Sequence, residues 1–242
     1  MNLLNICQSI LKETKSSNIP ISIIGNSEDS ATQIFEAIKI STIELVRNYQ
    51  WQELIRENNF YGVLNQDSYD LPDDFDRFVD DTFWNVTQGF KIIGPLTPSD
   101  WANLKNYMVN QSNVIEYFNI KNNKIYLHSS PISNDNYSYN YISNKIIKDT
   151  GGVLKKDWTL DTDSIVIDPY ILRLDATWRF LEMQGRAYSE KQRTANLAIS
   201  ERVKSNGSRT AIIHQGKVNQ GVAVSTIKPI VYHNPLTTQY IF

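Results

Sequence analysis

The chain has 242 residues, 41% hydrophobic and 21% charged, which excludes a disordered chain and leaves one sizeable core, or a main domain with a smaller one attached. A net charge of −2 excludes a global basic field for gripping nucleic acid. The single cysteine excludes an internal disulfide.

Residues 2–15 read as a helix, with Leu3, Ile6 or Cys7, and Ile10 or Leu11 at helical spacing; Cys7 is then a small buried hydrophobe. Pro20 and Gly25 mark a connection. Ser27 or Ser30 caps a second helix that runs to about Tyr49 on the stripe Ile34, Phe35, Ile38, Thr42, Leu45 and Val46, and Trp51 closes it. From Leu54 to Val63 the pattern turns extended, and Asn65 to Ser68 is a turn cluster before a short strand at Tyr69 to Leu71.

Pro72-Asp73-Asp74 starts a short helical turn carrying Phe75 and Phe78. Thr82 to Trp84 and Lys91 to Ile93 are strand candidates. Thr97-Pro98-Ser99-Asp100 opens a short helix that Trp101 and Leu104 pin. Val114 to Ile120 and Lys124 to His128 form a hairpin across Asn122-Asn123, because Asn tolerates positive φ. Tyr137 to Ser143 alternates as a half-buried strand does.

Asp168-Pro169 starts another helix, whose Ile171, Leu174, Trp178 and Leu181 make one narrow apolar seam before Gly185. A last helix runs from Tyr188 to about Lys204. Residues 207–242 carry Arg209, Lys217 and Lys228 and no Asp or Glu. Gly and Pro break their β-prone pieces, such as Val222 to Ile227. They read as an extended arm that docks on a neighbour, through Arg209, Lys217, Lys228, Tyr232, Tyr240 and Phe242.

The expected fold class is α+β. Residues 1–52 and 166–205 would form a helical bundle domain, 53–165 a β-rich insertion domain, and 206–242 the arm. No run is long enough to cross a bilayer, and no secretory signal pattern opens the chain, so the expectation is a soluble protein made in a cytoplasm.

Chemistry-bearing patterns are sparse. Seven aspartates lie between Asp67 and Asp81, but without the spacing of a calcium loop they read as turn formers. His128-Ser129-Ser130 places neighbours on opposite faces of a strand, which is no triad. Asp157, Asp161, Asp163 and Asp168 read as loop and cap residues. The rings at Tyr69, Phe75, Phe78, Trp84 and Trp101 read as core.

The stretch from Tyr69 to Trp101 carries a resemblance. Trp51, Tyr69-Asp70-Leu71-Pro72, Asp74-Phe75-Asp76-Arg77-Phe78, Thr82, Trp84, Gly94-Pro95-Leu96, Trp101 and Trp178-Arg179-Phe180-Leu181 look like the matching positions of the head-to-tail adaptor, or tail tubular, proteins of short-tailed bacteriophages. The resemblance spans roughly residues 1–205 in order and spacing. It implies a virion structural protein at the head–tail junction. Copies would form a dodecameric ring between the portal protein and the tail nozzle or tail tube. Genome DNA would pass through the channel without sequence-specific binding. It implies no catalytic residues and so no enzyme; the residues themselves give no metal or cofactor site and no membrane partner. The long arm after Ser205 departs from the pattern. The rival readings are a hydrolase with an unrecognised carboxylate site, and a monomeric binding module with aromatic pockets.

Overall fold

A computed structural model describes residues 1–106, 116–129, 131 and 134–205. The arm residues Arg209, Lys217, Lys228, Tyr232, Tyr240 and Phe242 lie outside the described residues.

Helix α1 (Leu3–Glu13) starts where the Asn2 side chain accepts from the Asn5 N–H at 2.9 Å, and its apolar stripe of Leu3, Ile6, Cys7, Ile10 and Leu11 is fully buried. Its first-turn donors are satisfied from afar: Leu3 N–H reaches the Asp163 carbonyl at 2.7 Å, and Leu4 N–H that of Asp161 at 3.1 Å. Helix α2 (Asp29–Asn48) buries Ile34, Ile38, Thr42, Leu45 and Val46, close to the expected stripe.

Then follow strands β1 (Ile55–Tyr61), β2 (Ser68–Asp70), β3 (Phe75–Phe78), β4 (Trp84–Asn85) and β5 (Phe90–Ile93), and helix α3 (Pro98–Asn106). Beyond it come β6 (Glu116–Lys121), β7 (Lys124–Leu127), β8 (Asn136–Ser143), β9 (Ile147–Lys148), β10 (Leu154–Lys155) and β11 (Ser164–Ile165). Helices α4 (Pro169–Met183) and α5 (Ser189–Ser205) close the described part.

The main sheet runs in the order β1-β8-β4-β5-β6-β7-β2 and curls into a half-barrel, while β3 pairs with β8 as an eighth strand. All pairings are antiparallel except β5 with β6. Strand β8 is the spine. Its Tyr137, Tyr139 and Tyr141 are buried with Phe78, Phe83 and Phe118 in an aromatic core. The β6–β7 hairpin turns on Asn122 and Asn123, both at positive φ (50° and 59°). A small sheet β10-β9-β11 stands apart from this one.

The expected helical bundle with a β-rich insertion is therefore corrected. The protein is a β-rich mixed α/β fold organised on a large curled sheet, with five α-helices among the described residues. The middle of the chain is no appendage to the helices. Leu54, Ile142, Ile146, Ile147, Trp158, Ile165 and Ile167 share one buried cluster with α1, α2, α4 and α5. The sequence concealed the sheet because its pairings join distant segments: β1 with β8, and β2 with β7.

Two local expectations also fail. Phe75 to Phe78 is a strand, not a helical turn. A bulge between Phe75 and Arg77 inserts a residue, so side chains three apart face the same core, their rings 5.2 Å apart. Helix α4 is no narrow seam. Leu172, Ala176, Thr177 and Phe180 are buried beside Ile171, Leu174, Trp178 and Leu181, because α1, α2 and α5 all pack on it.

Candidate functional site

Three of the residues that carry the resemblance, Trp51, Asp76 and Arg77, meet at one joint, where the sheet reaches the C-terminal end of α2. A helix ends with carbonyls that have no partner inside it. Trp51, fully buried, donates its Nε1–H to the Leu45 carbonyl at 2.8 Å. Arg77 on β3 sends Nη2 to the carbonyls of Val46 (2.8 Å) and Tyr49 (3.0 Å), and pairs with Asp76 at 2.7 Å. A guanidinium there meets the negative end of the helix dipole.

Next to it, Asp74 accepts from the Tyr141 hydroxyl at 2.8 Å and the Ser143 hydroxyl at 2.7 Å, while its own carbonyl accepts from Asn144 N–H. Burial pushes the Asp74 carboxyl up, but the bonds from Ser143 and Tyr141 outweigh it, so it sits below its ordinary value. A depressed carboxyl stabilises the fold above its unfolded value, and that contribution is lost as pH falls through the folded one. Asp74→Asn is therefore expected to cost about 1–3 kcal/mol at neutral pH and less at an acid pH low enough to protonate the folded carboxyl. Urea denaturation at both pH values checks this. A cost that does not shrink in acid would sink the assignment.

The other aspartates of the stretch are dispersed. Asp70 pairs with Lys124 at 3.1 Å, Asp81 pairs with Lys91, and Asp73 is exposed. Among the described residues no group of three or more His, Cys, Asp or Glu is placed to hold a metal ion. Gly94 is fixed by a close approach, since a Cβ there would stand 2.4 Å from the Phe118 carbonyl oxygen. Tyr69 is buried, and its hydroxyl donates to the Gln66 carbonyl and accepts from Val63 N–H.

Not every expected ring is core. Trp84 is 44% exposed and Pro95 is exposed, while Pro72, Phe75 and Trp101 are half-buried. Trp84 faces outward because Phe83 and Asn85 take the inward positions of that strand. His128 meets Trp101 edge-on at 6.1 Å; Ser130 lies outside the described residues. The later aspartates are caps and ties. Asp161 holds the backbone N–H groups of Ile23 and Ile24, Asp168 caps α4, and buried Asp163 binds Lys155 at 2.7 Å.

Two polar assemblies escaped the sequence reading. In the first, buried Asp135 accepts from the side chains of Asn85 (2.9 Å) and Gln88 (3.2 Å). Burial first, and the Asp135 charge second, push the nearby Glu116 up to about 7. The Tyr137 hydroxyl close by is buried, and burial first, then the charges of Glu116 and Asp135, push it up, with Asn85 acting against them. The signal was parity: Glu116 shares a strand face with Phe118 and Ile120.

In the second, buried Asp175 accepts from Trp178 Nε1–H and from Arg179 Nε, both at 2.9 Å, and Arg179 reaches Glu44 at 2.7 Å. A cleft of about 260 Å³ opens beside it, between α2, α4 and α5. The spacing of Asp175 and Arg179, four apart on a helix, was the available signal. Neither assembly joins a nucleophile to a base.

No protein-family model matches the chain, and no curated protein matches it.

Proposed function

We propose that the chain is a virion structural protein: a ring-forming head-to-tail adaptor that joins the portal to the tail and surrounds the DNA exit channel. The observation that carries this reading is the use made of the residues behind the resemblance. Arg77 ties β3 to the end of α2, which Trp51 also caps, while Asp74 joins the start of β3 to β8 and Gly94 lets β5 close on Phe118. That is the work of a rigid scaffold rather than of a reactive centre. Copies would stand side by side around a closing heterologous contact, with the portal on one face and the tail nozzle on the other. The arm would reach a neighbour.

The test mixes the purified full-length chain with the portal protein encoded alongside it and images the product by electron microscopy. A dodecameric ring seated on the portal is the expected result. A chain that stays monomeric and leaves the portal bare would overturn the proposal.

A further inference from the structure

Strand β1 forms one edge of the main sheet. Strand β8 shows which way the backbone of β1 points. The Asn136 carbonyl accepts from Val86 N–H at 2.7 Å, and the Asn140 carbonyl from Val79 N–H at 3.0 Å. In an antiparallel ladder a residue's N–H and C=O point the same way, and direction alternates along the strand. So Tyr137, Tyr139 and Tyr141 turn their backbone groups toward β1, where they face Phe60, Asn58 and Arg56.

This leaves Glu57, Asn59 and Tyr61 directed away from β8. Among the described residues none of their N–H groups donates, and none of their C=O groups accepts, a hydrogen bond outside the β1–β8 ladder. Only the start of the edge is closed, where Arg56 Nη1 covers the carbonyls of Glu53 (3.0 Å) and Ile55 (2.9 Å).

Natural edges are blunted by proline, lysine, bulges or short length. Strand β1 has seven residues, no Pro, Gly or Lys, and an unbroken register with β8. The opposite edge, β2, has three residues. On the outward face, Glu57 accepts from Ser138 and Asn59 and forms no ion pair among the described residues.

The occupant is indicated by the chain itself. Residues 207–242 have no acid, carry three Lys or Arg, and include the six-residue β-prone piece Val222 to Ile227 with Lys228 next to it. That piece matches the length of the open edge, and Lys228 supplies the charge that Glu57 lacks.

We propose that the outer edge of β1 receives residues 222–227 of another copy as an added strand, with main-chain hydrogen bonds to Glu57, Asn59 and Tyr61. This rests on the ring-forming reading above and names where neighbouring copies are tied.

Two variants of the full-length chain test it. Asn59→Pro removes an outward N–H and obstructs the incoming strand, yet spares the bonds to β8. Val224→Pro spoils the incoming strand and leaves the sheet untouched. Light scattering follows association, and hydrogen exchange follows the amides of Glu57, Asn59 and Tyr61. The wild-type chain is expected to associate, with those amides exchanging at least tenfold more slowly in the assembly than in dilute monomer. Both variants are expected to lose association while Asn59→Pro keeps its melting transition. Variants that associate like wild type, or edge amides equally protected in dilute monomer, overturn the strand docking and leave the adaptor reading standing. A wild-type chain that associates neither with itself nor on the portal overturns both.

Discussion

Trp51→Ala is expected to cost about 3–5 kcal/mol, the range for removing a large buried ring. Trp51 is fully buried in the cluster shared by helices and sheet, so the cavity has little room to collapse. The substitution also strips the Leu45 carbonyl of its donor at the end of α2. Urea denaturation of the variant measures the loss. Trp51→Phe separates the two effects: it fills most of the space, removes only the N–H, and should cost about 1–2 kcal/mol plus a small packing term. If Trp51→Ala unfolds at the wild-type urea concentration, the joint is not where the fold is held.

Trp178→Ala should cost about as much, again about 3–5 kcal/mol, for a different reason. The ring is 8% exposed, lies 6.0 Å from Tyr188, and has the Arg179 guanidinium 4.3 Å above it. Its Nε1–H also serves Asp175, which would keep Arg179 alone. Losing a donor to a buried carboxylate adds to the cavity. Thermal melting is the check, and an unchanged transition would place the ring outside the core.

Helices α1 and α2 were legible because each buries a stripe that local spacing reveals: Leu3 to Leu11 on α1, and Ile34 to Val46 on α2. The Asn122-Asn123 hairpin was legible for the same reason, a short-range rule about φ. The half-barrel was not. A two-residue strand such as β4 carries almost no pattern, and its inward and outward faces are set by its pairing with β8, far along the chain. The bulge in β3 reversed the meaning of a spacing, so Phe75 and Phe78 mimicked a helix. The acids of Glu116 and Asp135 meet only once the sheet has formed, and each looks ordinary along the chain.

The pairing of β1 with β8 also sets a timetable. Seven residues near the first quarter of the chain wait for Asn136–Ser143, and the first turn of α1 waits for the carbonyls of Asp161 and Asp163. On a ribosome the amino-terminal half therefore emerges with its spine missing. Closing such long loops is slow, and the exposed β-prone segments meet other nascent chains meanwhile. Slower growth at lower temperature, which gives the unfinished sheet fewer neighbours to meet, is therefore expected to raise the share of the chain recovered in the soluble fraction.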